Sequence, residues 1–123
     1  MKVAVLGCGG MGCGVLKTVA GLDGVDEVIG MDISAVHVER VRRELGFHST
    51  TELDEVMADD DVGLVFVTAS NDAHESLVKA AIEAGKAIMC EKPIATTLVA
   101  AEEMVCAAED RDLFFQVGFE LRY

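Results

Sequence analysis

A single proline, Pro93, interrupts these 123 residues, and no serine- or glycine-rich linker, repeat or low-complexity stretch divides them. Linkers and disorder depend on such residues, so the chain reads as one compact domain, 1–123, long enough to bury one core. Basic residues are scarce: 10 lysines and arginines stand against 22 acids, a net charge of −12. A surface this acidic repels nucleic-acid phosphates and anionic lipid heads, which excludes both as partners. No segment is long and apolar enough to span a membrane, and the apolar run after Lys2 breaks into glycines too early for a signal peptide. Cys8, Cys13, Cys90 and Cys106 form no C-x-x-C pair. Zinc and thioredoxin-like sites therefore lose their spacing and no metal is expected. The cysteines read as reduced, mostly buried thiols of a cytoplasmic protein.

What the chain does have is a recurring alternation. Lys2-Val3-Ala4-Val5-Leu6 is a short β-branched run of the kind buried in parallel sheets. Met11, Val15, Val19 and Leu22 then fall on one helical face. A second strand over 25–31 stops at Asp32. Ser34 offers an N-cap, and Val38, Val41 and Leu45 continue the helix until Gly46. An extended piece near Phe47 precedes a small helix with capping-box spacing at Thr51 and Asp54. The acids Asp59, Asp60 and Asp61 read as a solvated loop before a strand over 62–68. Asp72 and Glu75 have the spacing to box the start of a helix striped by His74, Leu77, Val78, Ala81 and Ile82, closed by Gly85. A strand over 86–90, a helix over 97–108 and a strand over 113–119 follow. Strand alternating with helix predicts an α/β fold, a doubly wound, mainly parallel sheet of about six strands with helices on both faces. Its ligand site would lie at the carboxyl ends of the strands.

Three features sit at those ends. Gly7-Cys8-Gly9-Gly10-Met11-Gly12 fits G-x-G-x-x-G and stands between the first strand and first helix, the context a dinucleotide loop requires. Gly7 would permit the tight turn, Gly9 the approach of a pyrophosphate, and Gly12 close packing of helix on strand. The alternative is a purely structural turn. Asp32 ends the second strand, where a carboxylate can accept hydrogen bonds from adenosine ribose hydroxyls and would repel a 2′-phosphate. Ile33 and Ser34 supply no compensating arginine, and Arg40, Arg42 and Arg43 read as coating a solvated helix face. NAD is therefore favoured over NADP, although Asp32 also fits an ordinary strand-end loop. Glu91-Lys92-Pro93 ends another long strand, where a lysine can meet a substrate hydroxyl or the nicotinamide ribose, or simply be solvated.

Together with Ala69-Ser70-Asn71-Asp72-Ala73-His74 and the closing Gly118-Phe119-Glu120-Leu121-Arg122-Tyr123, these motifs resemble the Gfo/Idh/MocA family, along essentially the whole chain. The resemblance implies an NAD(P)-dependent oxidoreductase transferring a hydride between nicotinamide and a sugar, inositol or related polyol. It assigns the catalytic role to Lys92, beside the nicotinamide, with Glu91 and Pro93 shaping the turn. It places Thr68, Ala69, Ser70, Asn71 and His74 along the cofactor. Ala69 and Ser70 replace the family's Thr-Pro, and His74, on an apolar stripe, fits a structural role equally. Arg122 matches an arginine near the end of the family's first domain. The resemblance further implies a second, substrate-binding domain that this sequence lacks. Hence the isolated chain is expected to bind cofactor without turning over, and to self-associate through apolar surface around 113–119. Other readings are a non-catalytic dinucleotide-binding or redox-sensing module, a methyltransferase, and a dehydrogenase of amino-acid semialdehydes.

Overall fold

Val3, Ala4, Val5 and Leu6 have no exposed surface, because β1 (Lys2–Leu6) lies inside a six-stranded sheet with a neighbour on either side. The computed structural model describes residues 1–118. Arg122 and the rest of the closing motif after Gly118 lie outside the described residues. The other strands are β2 (Glu27–Met31), β3 (His48–Thr50), β4 (Val62–Val67), β5 (Ala87–Glu91) and β6 (Phe115–Gly118), all parallel in the order β3-β2-β1-β4-β5-β6. The expected doubly wound α/β sheet is therefore present, with β1 and β4 flanking the point where the winding reverses.

Alternation along the strands divides the core. Ala4 and Leu6 of β1 join Ile29, Val65, Val67 and Ile88 on one face, packed by α3 (Leu53–Ala58), α4 (His74–Glu83) and α5 (Leu98–Asp110). Val3 and Val5 point the other way, against α1 (Gly10–Ala20) and α2 (Ala35–Arg40), whose last turn widens into a π-helix over Val41–Leu45. Leu64 and Phe66 of β4 lie on this second face and are only partly buried. Apolar exposure is thus not confined to 113–119, although Phe114 there is 55% exposed. Among the described residues no helix is long and apolar enough to cross a membrane.

Several local expectations change. The buried stripe of α1 is Gly12, Leu16 and Val19, while Met11 and Leu22 are each 53% exposed. Glycine carries no apolar signal, yet Gly12 is the residue pressed onto the turn after β1, and it sets the helix face. The box at Thr51 and Asp54 does not form. One residue earlier, the Thr50 hydroxyl accepts from Glu52 N–H (3.1 Å) and donates to Glu55 (2.7 Å). Nor does Asp72 cap α4, because the chain enters that helix through a 3-10 turn over Asn71–Ala73, and Glu75 pairs with Lys79 instead. Ser34 does cap α2 and Thr97 caps α5.

Asp59 is not a solvated loop residue. Its carboxylate takes the Lys2 ammonium (2.7 Å), and its carbonyl accepts from the buried Lys86 ammonium (2.6 Å). The hydrogen bond to Lys2 holds the Asp59 carboxyl below its ordinary range. Two cysteines depart from a uniformly buried picture as well: Cys8 and Cys90 are buried, but Cys13 is half-buried and Cys106 is exposed. Burial pushes both buried thiols up to about 12, which keeps them protonated.

The revised face of α1 yields a direct comparison. Leu16→Ala is expected to cost about 2–5 kcal/mol, and Met11→Ala to stay within about 0.5 kcal/mol of the parent, both measured by urea unfolding. The reverse ranking would restore the stripe through Met11.

Candidate functional site

The turn after β1 is built by glycines with different tasks. Gly7 has φ +101°, and a Cβ there would lie 2.5 Å from the Ala69 backbone. A Cβ on Gly12 would come within 1.7 Å of the Gly7 carbonyl oxygen, so helix and turn touch backbone to backbone. The Thr68 hydroxyl, at the end of β4, donates to that same carbonyl (2.7 Å) and fixes the turn from the other side. Gly9 and Gly10 differ: a Cβ on either would meet only open space. Gly9 is the N-cap of α1, contributes no side-chain cap, and is followed by a first turn without acids. The first N–H groups of a helix have no intrahelical partner, so this end presents donors and positive dipole to an anion.

Asp32 stands beside this turn, its side chain 12% exposed. Its carboxylate accepts from the backbone N–H of Cys8 (2.7 Å) and of Ser34 (2.8 Å), and from the His37 ring through Nδ1 (2.9 Å). Partial burial pushes the carboxyl up, but the bonds from Ser34, His37 and Cys8 together outweigh it and hold the pKa below the usual carboxylate range. Asp32 is thus a fixed anion at neutral pH. Behind the turn, the Arg40 guanidinium donates to the Cys8 carbonyl (2.7 Å) and lies 3.6 Å from Cys13 Sγ. This overturns the reading of Arg40 as a solvated residue, because its helix packs directly under the glycine turn. Arg42 is likewise engaged, donating to the Ser49 carbonyl (2.6 Å), whereas Arg43 is solvated.

These parts frame a cleft of about 680 Å³ at the carboxyl ends of the strands. Gly7, Gly9, Asp32, Ile33, Thr68, Ala69 and Ser70 line it. Cys8 does not: its thiol is buried in the core and its N–H is consumed by Asp32. Gly10, Met11 and Gly12 form the adjoining helix start, and Asn71, Glu91 and Lys92 stand outside the cleft, with Lys92 exposed at the end of β5. His74 is buried, and its ring nitrogens face the carbonyl oxygens of Pro93 (Nδ1, 2.7 Å) and Ala69 (Nε2, 3.0 Å). It therefore joins the loop after β4 to the turn after β5. Sequence reasoning missed His37, Thr51 and Leu53, which complete the wall near Asp32. For His37 the available signal was its place one helical turn beyond the Ser34 cap.

The residues present fit a dinucleotide: open glycines and free helix N–H groups for a pyrophosphate, a strand-end carboxylate for ribose hydroxyls, and a cleft large enough for the adenosine half. Fold and site together define a dinucleotide-binding Rossmann domain. A sequence profile of the oxidoreductase family with an NAD-binding Rossmann fold, Gfo/Idh/MocA, matches residues 1–119, and the chain belongs to that family. It is 31% identical to an inositol 2-dehydrogenase of Salmonella typhimurium over 127 aligned positions, covering all of this chain and 38% of that enzyme. It is 42% identical over 74 residues to a 1,5-anhydro-D-fructose reductase of Ensifer adhaerens, covering 60% of this chain and 22% of the reductase. Among solved structures, GenD2 from gentamicin A biosynthesis, in complex with NAD, superposes with a TM-score of 0.90 at 30% identity, over 96% of this chain and 34% of GenD2. The chain thus spans well under half the length of these relatives.

The contrast between two glycines of α1 tests the turn. Gly12→Ala is expected to lower stability by about 1–3 kcal/mol, since backbone cannot move aside cheaply. Gly14→Ala, facing open space on the same helix, should raise it by about 0.5–1 kcal/mol. Thermal unfolding would show both, and equal behaviour of the two variants would contradict the packed turn.

Proposed function

We propose that the protein is the cofactor-binding part of an oxidoreductase acting on a sugar, inositol or related polyol, and that it takes NAD(H) in preference to NADP(H). The observation that carries the reading is Asp32, a carboxylate held ionised at the rim of the cleft beside the open start of α1. N–H groups of Gly10, Met11 and Gly12 would hold the pyrophosphate. Asp32 would accept from the ribose hydroxyls, with Ile33, Thr51 and Leu53 beside the adenine. Thr68, Ala69, Ser70 and Asn71 would border the path toward the nicotinamide, and Glu91 and Lys92 would stand at its reacting end.

When bound, the nicotinamide supplies the hydride chemistry; the chain's own part is to orient it and to offer Lys92 to a substrate hydroxyl. Hydride transfer also needs the substrate carbon held against the ring with water kept out. Lys92 is exposed in the described residues, so these 123 residues by themselves would bind cofactor and turn over little. The substrate class rests on the relatives, which include an inositol dehydrogenase and an anhydrofructose reductase. A cytoplasmic setting agrees with this chemistry.

The chain contains no tryptophan, so indole-to-nicotinamide energy transfer cannot report binding, and titration calorimetry is the suitable method. At pH 8, NADH is expected to bind in the micromolar range and NADPH at least about tenfold more weakly, a gap of roughly 1.4 kcal/mol. Asp32→Ala should weaken NADH and narrow that gap. Absence of binding by both nucleotides would overturn the reading.

A further inference from the structure

We propose that His37 makes the choice between the two dinucleotides depend on pH, by neutralising Asp32 when its ring is protonated and leaving Asp32 to repel a 2′-phosphate when it is not. The inference rests on the cofactor reading above and adds a residue to it. His37 Nδ1 lies 2.9 Å from Asp32 Oδ2. An ionised carboxylate only accepts, so Nδ1 carries the hydrogen and Nε2 is the nitrogen that gains or loses a proton. The ring is partly open to solvent, 39% exposed, while Asp32 is 12% exposed. A proton can therefore reach the ring easily, and the charge it brings acts on a carboxylate largely screened from water.

The surroundings leave this pair in control. Of the described residues lining the cleft, only Asp32 and His37 carry ionisable side chains. Across from them stand Thr51 and Leu53, and the loop after β4 contributes Thr68, Ala69 and Ser70, all uncharged. From its own helix, Arg40 is turned to the Cys8 carbonyl behind the glycine turn. The Cys8 thiol, buried beneath, is held protonated. With the ring neutral, the pair has a net charge of −1 at the position where the adenosine ribose hydroxyls would bind. With the ring protonated, the net charge is zero and Nε2 offers a new N–H donor. Asp32 stays ionised throughout, since its carboxyl titrates below the ordinary range. Histidine is the side chain whose ordinary titration falls between about pH 5 and 8.

The test is the ratio of dissociation constants for NADP⁺ and NAD⁺, oxidised forms chosen because they withstand acid, measured calorimetrically at pH 8.5 and 5.5. In the parent protein the ratio should fall roughly tenfold on acidification, the scale of one unit charge several ångströms away in a half-open site. A phosphate monoester itself takes up a proton near about pH 6, which relieves some repulsion without any help from the protein. His37→Asn keeps a side-chain amide near Asp32 and cannot be protonated, so it isolates that contribution and should show less than half the parent's fall. Identical pH profiles in parent and variant would overturn the proposal while leaving the cofactor reading intact. Absence of NAD⁺ binding at both pH values would instead overturn the cofactor reading, and the inference with it.

Discussion

The hydrogen bond from the Cys8 N–H to the Asp32 carboxylate is the point on which the site depends. It is 2.7 Å long, links the turn after β1 to the end of β2, and joins residues 24 apart in sequence. A charged acceptor makes it stronger than an ordinary amide bond. It also decides which donors remain: with Cys8 committed, the free N–H groups are those of the first turn of α1, displaced toward the open side of Gly9 and Gly10. The same bond adds to those from Ser34 and His37 in holding Asp32 ionised, so it shapes the anion-binding turn and helps to fix the negative charge beside it. Arg40 reinforces this arrangement by holding the carbonyl of the same residue.

Two further ties fasten the remaining strand ends to this centre. Thr68 binds the Gly7 carbonyl from β4, and the His74 ring lies against the Ala69 and Pro93 carbonyl oxygens and donates to one of them, so that the ends of β1, β2, β4 and β5 are held close together. Buried carbonyls need such partners, because leaving one unpaired costs about 1–3 kcal/mol. His74 thereby gains a defined role, as the link that holds the Glu91-Lys92-Pro93 turn beside the cofactor loops.

The fold was readily legible in the sequence, since its apolar runs are short and alternate with helical stripes. The glycine loop and Asp32 were legible for the same reason: their meaning follows from position between consecutive elements. What stayed hidden depended on packing. Gly12 sets the face of α1 although a hydrophobic pattern passes over it. Arg40 looks like a surface charge until α2 is seen beneath the glycine turn, 32 residues away in sequence. His37 reaches Asp32 across a helix start, a spacing that no helical repeat announces. Asp59 looked solvated because its partners, Lys2 and Lys86, come from two other strand starts. Membership of the Gfo/Idh/MocA family accounts for the frame on which these contacts are built.

The central claim is that the open start of α1, together with Asp32, holds a dinucleotide. Amide NMR shifts on titration with NADH test it most directly. The claim predicts that Gly9, Gly10, Met11, Ile33 and Ser34 move together and saturably, while Gly24, Gly46 and Gly85, at the opposite ends of the strands, stay still. Shifts centred instead on the smaller hollow of about 260 Å³ beside Val25, Val28 and Phe47, with the glycine turn unmoved, would contradict it.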